Sequence, residues 1–273
     1  MVASTFDTVA FPFMLGSEGG FDDDPRDRGN WTDGAFGKKG GVLKGTKYGI
    51  ASHVYPELDI KNLTVEQARA IYKRDYAAKV AYDQMPAGVD VSVYDMGVNA
   101  GPSRSMALLK GALGASSASA AALAQAATLS KDKIAVIKGF SAKRLAFYKG
   151  LSTFKTYGRG WTRRAAECEA ISVKTWLTYG ARKSTAEVKK TLEIEGKAAT
   201  KSSAGNATAG TTATGTETVN ASQHDWSWSL DWATVGHVVL AIVVIGIVVF
   251  FVRKALVHRE RAAAYAKTAN ETF

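Results

Sequence analysis

Apolar residues at Phe6, Val9, Ala10, Phe13 and Met14 recur at the spacing of one helix face, so the chain opens on a helix that buries one side. Pro12 interrupts that run and predicts a kink or a late start. Glu18 stands directly before Gly19-Gly20, where a glycine can take the left-handed conformation that ends a helix. A polar, turn-rich run then continues until Thr64-Val65-Glu66-Gln67, which fits a capping box. The helix it starts carries Ile71, Tyr72, Asp75 and Tyr76 and is closed by Met85-Pro86. A second helix is predicted from about Val89 to Asn99, broken at Gly101-Pro102, with Ser103 placed to cap a third that holds Met106, Leu108, Leu109 and Leu113. The Ala/Ser-rich stretch 114–128 suits a tight helix contact. Residues 130–148 read as a helix, and 162–194 as a long or broken one. Strand signal is confined to 31–50, where the Gly- and Lys-rich stretch Trp31 to Gly45 reads as a β-hairpin tip or flexible loop. The fold class is mainly α with one small β-hairpin element.

The pattern changes near residue 196. Residues 196–224 are mostly Gly, Ala, Ser, Thr and Asn, with too few large apolar side chains to fold alone. As a flexible coil this stretch has a span of roughly 30 Å. Ala233 to Val252 is then an apolar run without Asp, Glu, Lys or Arg, of the length a bilayer requires. Trp226, Trp228 and Trp232 precede it like an interfacial belt, and Arg253, Lys254, His258, Arg259 and Arg261 come after it. The expectation is one C-terminal transmembrane helix, whose lipid-bilayer partner is met through Ala233 to Val252. His237 falls toward its interfacial end. The basic flank favours a cytoplasmic tail, whereas residues 1–15 lack the basic start and apolar core of a signal peptide. The two signals leave orientation and export route open.

The chemistry centres on the run EGGFDDDPRDRGNWT. It puts one carboxylate, Glu18, where a helix stops and a second, Asp27, in the polar loop beyond it. Two carboxylates facing one another across a groove are what glycosidic bond cleavage needs. The negative end of a helix dipole and apolar neighbours both disfavour an ionised Glu18, as a general acid requires. Asp22, Asp23 and Asp24 lack calcium-loop spacing and read as a solvated turn. His53, His224, His237 and His258 are scattered, which argues against a zinc amidase or peptidase. Cys168 is the only cysteine, in an Ala-rich helical stretch, and reads as a packed residue. No metal and no cofactor is expected.

The run EGGFDDDPRDRG, with Gly45-Thr46-Lys47-Tyr48-Gly49-Ile50 after it, resembles the signature of glycoside hydrolase family 108. Leu63-Thr64 with Ala68, Ile71-Tyr72, the stretch Tyr94 to Gly101 and Gly160-Trp161-Thr162-Arg163-Arg164 extend the resemblance, in order, over roughly residues 6 to 170. That family comprises N-acetylmuramidases of phage endolysins and of secretion systems. The resemblance implies a lysozyme-like helical domain that hydrolyses the β-1,4 bond between N-acetylmuramic acid and N-acetylglucosamine. It implies Glu18 as catalytic acid, with Asp27 activating water or stabilising oxocarbenium-like charge. Two threonines compete to position water or substrate: Thr32 by its spacing from Asp27, Thr46 by the family's Thr-x-x-Gly-Ile segment. The insert from Trp31 to Gly45 departs from the shorter family pattern. So does Tyr76-Ala77-Ala78, where many members carry a Trp. Trp31, Tyr48 and Asn99 are candidates for sugar contact; each also has a plain reading as a packed, turn or capping residue.

Length allows one or two domains, and 46% hydrophobic residues suffice for a core plus a span. The expected divisions are 1–88 as catalytic region and 89–195 as a helical peptidoglycan-binding-like region or second lobe of the same domain. After these come 196–224 as flexible linker, 225–252 as aromatic belt and transmembrane helix, and 253–273 as basic tail. A formal net charge of +10 invites a nucleic-acid reading, but no motif of that class supports one. Bacterial peptidoglycan carries carboxylates that attract the same charge, and is the expected partner. The leading expectation is a membrane-tethered muramidase on the periplasmic side of the bacterial inner membrane, serving phage host lysis with a holin as its partner. The alternatives are a secretion- or gene-transfer-associated muramidase and a non-catalytic wall-binding anchor.

Overall fold

In this computed structural model, the described residues are 5–16, 18–117, 119–212 and 232–272, with the side chains of 203–242 and 244–248 outside the description. The chain divides into two compact units, Met1–Gly150 with Ile171–Lys183, and Leu151–Ala170 with Ser184–Phe273. The expected boundary at residue 88 is not where they divide.

The first unit opens on a π-helical turn, Phe6–Ala10, that runs into α1 (Phe11–Leu15). Pro12 is the second residue of α1, at the junction with the π-helical turn, where its missing N–H removes one donor from the helical ladder. The helix stops at Gly16, whose N–H returns to the Pro12 carbonyl at 3.0 Å. Gly19 and Gly20, expected to end it, are not among the residues with positive φ. Strands β1 (Thr46–Lys47) and β2 (Ile50–Ala51) pair antiparallel, Thr46 opposite Ala51 and Lys47 opposite Ile50. Tyr48 and Gly49 join them at φ 54° and 75°, the mirror-image turn that suits the twist of a tight hairpin. A left-handed tyrosine is costly, and such strain collects where function needs an exact backbone. Bridges pair Asp22 with Thr46 and Trp31 with Leu43, so the polar run is sewn to the hairpin.

Helix α2 (Val65–Tyr72) starts on the capping box read from the sequence, with Thr64 and Gln67 bonded reciprocally. A π-helical turn, Lys73–Ala77, carries it on to Tyr76. Helix α3 (Val89–Ala100) is buried on nearly every face, from Val89 to Gly97, and forms the centre of the unit. Helix α4 (Pro102–Leu113) begins one residue before the expected cap: Pro102 is its first residue and Gly101, at φ 88°, its N-cap, so Ser103 lies inside. Ser119 caps α5 (Ala120–Leu129) and Asp132 caps α6 (Lys133–Lys149). Phe6, Met14, Tyr94, Met96, Leu109, Leu123, Ile137 and Phe140 are fully buried among these elements. Each such side chain contributes about 1.5–3 kcal/mol. Within this core Arg144 and Asp95 form an ion pair at 2.7 Å, with both side chains almost wholly enclosed.

Helix α7 (Phe154–Thr175) lies in the second unit up to Ala170 and in the first from Ile171. Helices α8 (Thr185–Thr212) and α9 (Trp232–Asn270) make up most of the second unit. The stretch expected as a flexible linker from residue 196 is thus helical as far as Thr212. Its alanines favour helix, and Ala199 is buried. The rest of that stretch, 213–224, lies outside the described residues, as does the greater part of the aromatic belt, 225–231. Within the stretch expected as a basic tail, residues 253 to Asn270 are helix, with Ala264, Tyr265 and Ala269 buried. Tyr265 lies against Gly196, where an added Cβ would stand 3.4 Å from its own. Arg261 Nη2 and the Tyr265 hydroxyl both donate to Glu169 Oε1 of α7, at 2.6 and 2.9 Å. Among the described residues no helix is long and apolar enough to cross a membrane. Most side chains of the expected span, Ala233 to Val252, lie outside them. Val243, Val249, Phe250 and Val252, which are described, are exposed.

Candidate active site

Glu18 comes after α1 in a bend, its N–H bonded to the Leu15 carbonyl at 3.0 Å. It is half-buried. Its carboxyl lies over the hairpin tip: a Cβ on Gly49 would fall 2.6 Å from Glu18 Oε2 and 2.5 Å from the Tyr72 hydroxyl. A side chain on Gly49 would collide with both oxygens. The Tyr72 hydroxyl donates to the Tyr48 carbonyl at 2.9 Å, and the Tyr48 N–H donates to the Gly19 carbonyl at 3.3 Å. The strained turn is thereby bonded on one side to the helix carrying Tyr72 and on the other to the residue after Glu18.

Aromatic rings close the surroundings. Tyr72 packs against Phe11 and Tyr76, and Tyr94 packs edge-on to Phe6. Burial pushes the Tyr76 and Tyr94 phenols up, and the negative charge of Asp75 near Tyr76 and of Asp95 near Tyr94 adds to the shifts. Tyr94 is fully buried, and its hydroxyl has no hydrogen-bond partner among the described residues.

Asp27 sits in a different setting. It is exposed and caps the short 3₁₀ turn Arg28–Asn30, accepting the Gly29 N–H at 2.8 Å. His53 approaches the same glycine: a Cβ on Gly29 would stand 3.2 Å from Asp27 Oδ1 and 3.7 Å from His53 Nδ1.

The two threonines both serve the loop scaffold. Thr46 Oγ1 donates to Asn30 Oδ1 at 2.7 Å, and Thr32 Oγ1 accepts the Val42 N–H at 2.9 Å. Trp31 is packed under the insert, its Nε1 donating to the Pro25 carbonyl at 3.0 Å and its ring against Gly37. The Lys47 ammonium lies 5.2 Å from the centre of the half-buried Tyr48 ring. Asn99, at the end of α3, accepts from the Tyr148 hydroxyl at 2.7 Å and so joins the Arg144 network. The fold therefore gathers Glu18 with the Tyr48 backbone and gathers Asp27 with the Asn30–Thr46 scaffold. Asn99 is engaged elsewhere.

Sequence reasoning missed three residues that build this site. Asn30 is fully buried; its Nδ2 donates to Asp22 Oδ2 at 2.9 Å and to the Asp24 carbonyl at 3.1 Å. Its own carbonyl accepts the N–H groups of Lys44 and Gly45. Asp33 accepts N–H groups from Ala35, Gly37, Lys39 and Gly41, which turns the expected flexible insert into a loop wound around one carboxylate. These bonds, that from Ala35 foremost, hold the Asp33 carboxyl down at about 2. Tyr72, the third, was visible only as a helix-face aromatic.

The family model described as Glycosyl hydrolase 108 matches residues 11–101. That segment holds every candidate site residue. A solved structure, described as the structure of Brucella abortus SagA, is similar at 29% sequence identity and a TM-score of 0.49. The likeness covers 63% of this chain and 95% of that one. No curated protein matches the chain.

Proposed function

We propose that the protein is a muramidase: a glycoside hydrolase that cleaves the β-1,4 bond between N-acetylmuramic acid and N-acetylglucosamine in bacterial peptidoglycan. Glu18 donates a proton to the leaving oxygen, and Asp27 assists from its solvated loop as base or electrostatic stabiliser. The observation that carries the reading is the seat of Glu18, a carboxyl against the glycine of the hairpin turn and among tyrosines, within the segment matched by the family model. Aromatic and apolar surroundings suit an acid that must stay protonated, and an exposed loop carboxylate suits one that must not. Thr46 and Thr32 act through the loop that holds Asp27, and Tyr48 lies beside Glu18 where a sugar ring can pack.

The finer reading adds a tether: Ala233 to Val252 anchors the enzyme in a lipid bilayer, and the enzyme acts on the periplasmic side during phage host lysis. The apolar sequence of that run and its exposed Val243, Val249, Phe250 and Val252 support it. Product analysis on purified wall tests the chemistry. New reducing ends on muramic acid are expected, and new amino termini in their place overturn it. Membrane fractionation tests the tether. Full-length protein should stay with membranes through high salt and alkaline carbonate, since salt releases only charge-held films; release by salt alone ends that reading.

A further inference from the structure

Resting on the muramidase reading, we infer that the insert from Trp31 to Gly45 is a binding surface for the carboxylates of the peptides attached to the wall glycan. Lys38 and Lys39 take the carboxylates, and Phe36 gives an apolar contact beside them. The insert is wound inward on Asp33, whose Oδ1 accepts the Ala35 and Gly37 N–H groups and whose Oδ2 accepts those of Lys39 and Gly41. An ionised carboxylate has room for about four such bonds, so both oxygens are filled by main chain. Asp33 is the only acid between Trp31 and Gly45, and it has no lone pair left for a lysine ammonium.

Two successive turns shape the tip. The Lys38 N–H returns to the Ala35 carbonyl at 3.2 Å, and the Gly40 N–H to the Gly37 carbonyl at 3.0 Å. Lys38 and Lys39 are the central pair of the second turn. Both are exposed, and neither ammonium has a hydrogen bond or ion pair among the described residues. The neighbouring lysines are engaged: Lys44 Nζ donates to the Pro56 carbonyl at 2.6 Å and Lys47 Nζ to the Lys61 carbonyl at 2.9 Å. Phe36 is an independent sign. It stands at φ 58° and is 45% exposed, so its ring carries backbone strain and gains little from burial. Strain of that kind collects where a ligand is met.

The place of the insert selects the partner. It leaves the chain four residues after Asp27, and its return is tied to Asn30, whose carbonyl accepts the Lys44 and Gly45 N–H groups. A glycan strand brought to Asp27 brings its peptides beside this root. Their carboxylates answer the two ammonium groups, and their alanine methyls suit Phe36 and the exposed Val42. An anionic lipid surface offers the same charge, but basic lipid-binding segments gather roughly four to eight cations or use an amphipathic helix. A lysine pair on one turn is too little for that and enough to add to a substrate already held.

The test is cosedimentation of full-length protein with purified wall, in a Glu18→Gln background so that the wall is not consumed. The wall is used intact and with its carboxyls converted to neutral amides. At low salt, adding Lys38→Gln and Lys39→Gln should weaken binding to intact wall by about three- to tenfold, as the loss of two exposed ion pairs allows. Binding to amidated wall should equal that of the parent. Equal loss on both walls, or loss on neither, overturns the inference. Loss confined to phosphatidylglycerol vesicles, with wall binding kept, makes the insert a lipid contact and also overturns it. Circular dichroism and an unchanged melting temperature check that these surface changes leave the fold in place. Release of reducing ends by protein with Glu18 intact separates the two readings. Carboxylate-dependent binding without such release removes the muramidase and keeps the insert surface. Release with equal binding to both walls removes the insert surface alone.

Discussion

The two carboxylates proposed for catalysis sit on regions built by opposite means. Glu18 sits half-buried among a helix end, a backbone turn and aromatic rings. Asp27 belongs to a loop with hardly any apolar content, held by side-chain-to-backbone hydrogen bonds that converge on Asn30 and Asp33. One region gains its order from packing and the other from polar satisfaction. The lesson is that two residues of nearly the same intrinsic acidity need not be tuned individually. Each takes its surroundings, packed or polar, from the way its region is held together.

That contrast is easiest to break at Glu18. Glu18→Gln keeps the shape and removes the proton, so wall hydrolysis should fall at least ~10³-fold with an unchanged melting temperature. Near-normal turbidity clearing by folded mutant protein would end the assignment. Asp27→Asn keeps an acceptor for the Gly29 N–H, and its loss should be smaller, on the order of 10²-fold, if the residue stabilises charge. A loss equal to that of Glu18→Gln would make it the base that activates water.

Asn30→Ala attacks the polar region alone. It removes the bonds to Thr46, Asp22 and Asp24 at once. Urea unfolding should show about 2–3 kcal/mol of lost stability. Activity should fall along with it while the Glu18 environment, read from tyrosine fluorescence, is preserved.

Asp90 offers a control inside the packed region. It is almost fully buried at the start of α3 and accepts from Thr5, Gly88 and Val91. Burial outweighs those bonds and lifts its carboxyl to about 6. A raised folded value means that the native state holds the proton more tightly than the unfolded chain. The stabilisation is complete below the unfolded value near 4 and is lost as pH rises through about 6. Wild-type stability should drop by about 2–3 kcal/mol across that window, and Asp90→Asn should flatten the drop. A flat wild-type profile contradicts this.

The smallest effect is expected at Asp33, whose carboxyl is held low by backbone donors. Its contribution is present above the ordinary carboxylate value and is lost as pH falls through about 2. Asp33→Ala should speed amide exchange at Ala35, Gly37, Lys39 and Gly41 while leaving the global transition nearly in place. Protection that survives the substitution would mean the loop is held by something else.

The packed region was the more legible of the two in the sequence. Apolar patterning with start and stop signals placed α2, α3 and α6 close to where they stand: the Thr64 capping box opens α2, and Gly101-Pro102 separates α3 from α4. Ends decided by a single glycine were less readable: Gly16 and not Gly19 closes α1, and Gly101 takes the role expected of Ser103. The polar loop left no period to read. A carboxylate that collects four N–H groups, as Asp33 does, looks in sequence like any turn aspartate. Composition also misled at residue 196, where small residues suggested a coil but pack as helix against α9.

The docking of α9 has a consequence for sidedness. A chain that traverses a bilayer once leaves the segments on either side of the crossing in different compartments. Glu169 lies before Ala233 to Val252 in the chain and Arg261 lies after it, yet the two share a hydrogen bond of 2.6 Å. The same protein molecule cannot hold that bond and thread the run between across a membrane. The Glu169–Arg261 pair is thus a built-in reporter of topology: a crosslink between these positions marks the unthreaded molecule, and its absence is a precondition for the threaded one.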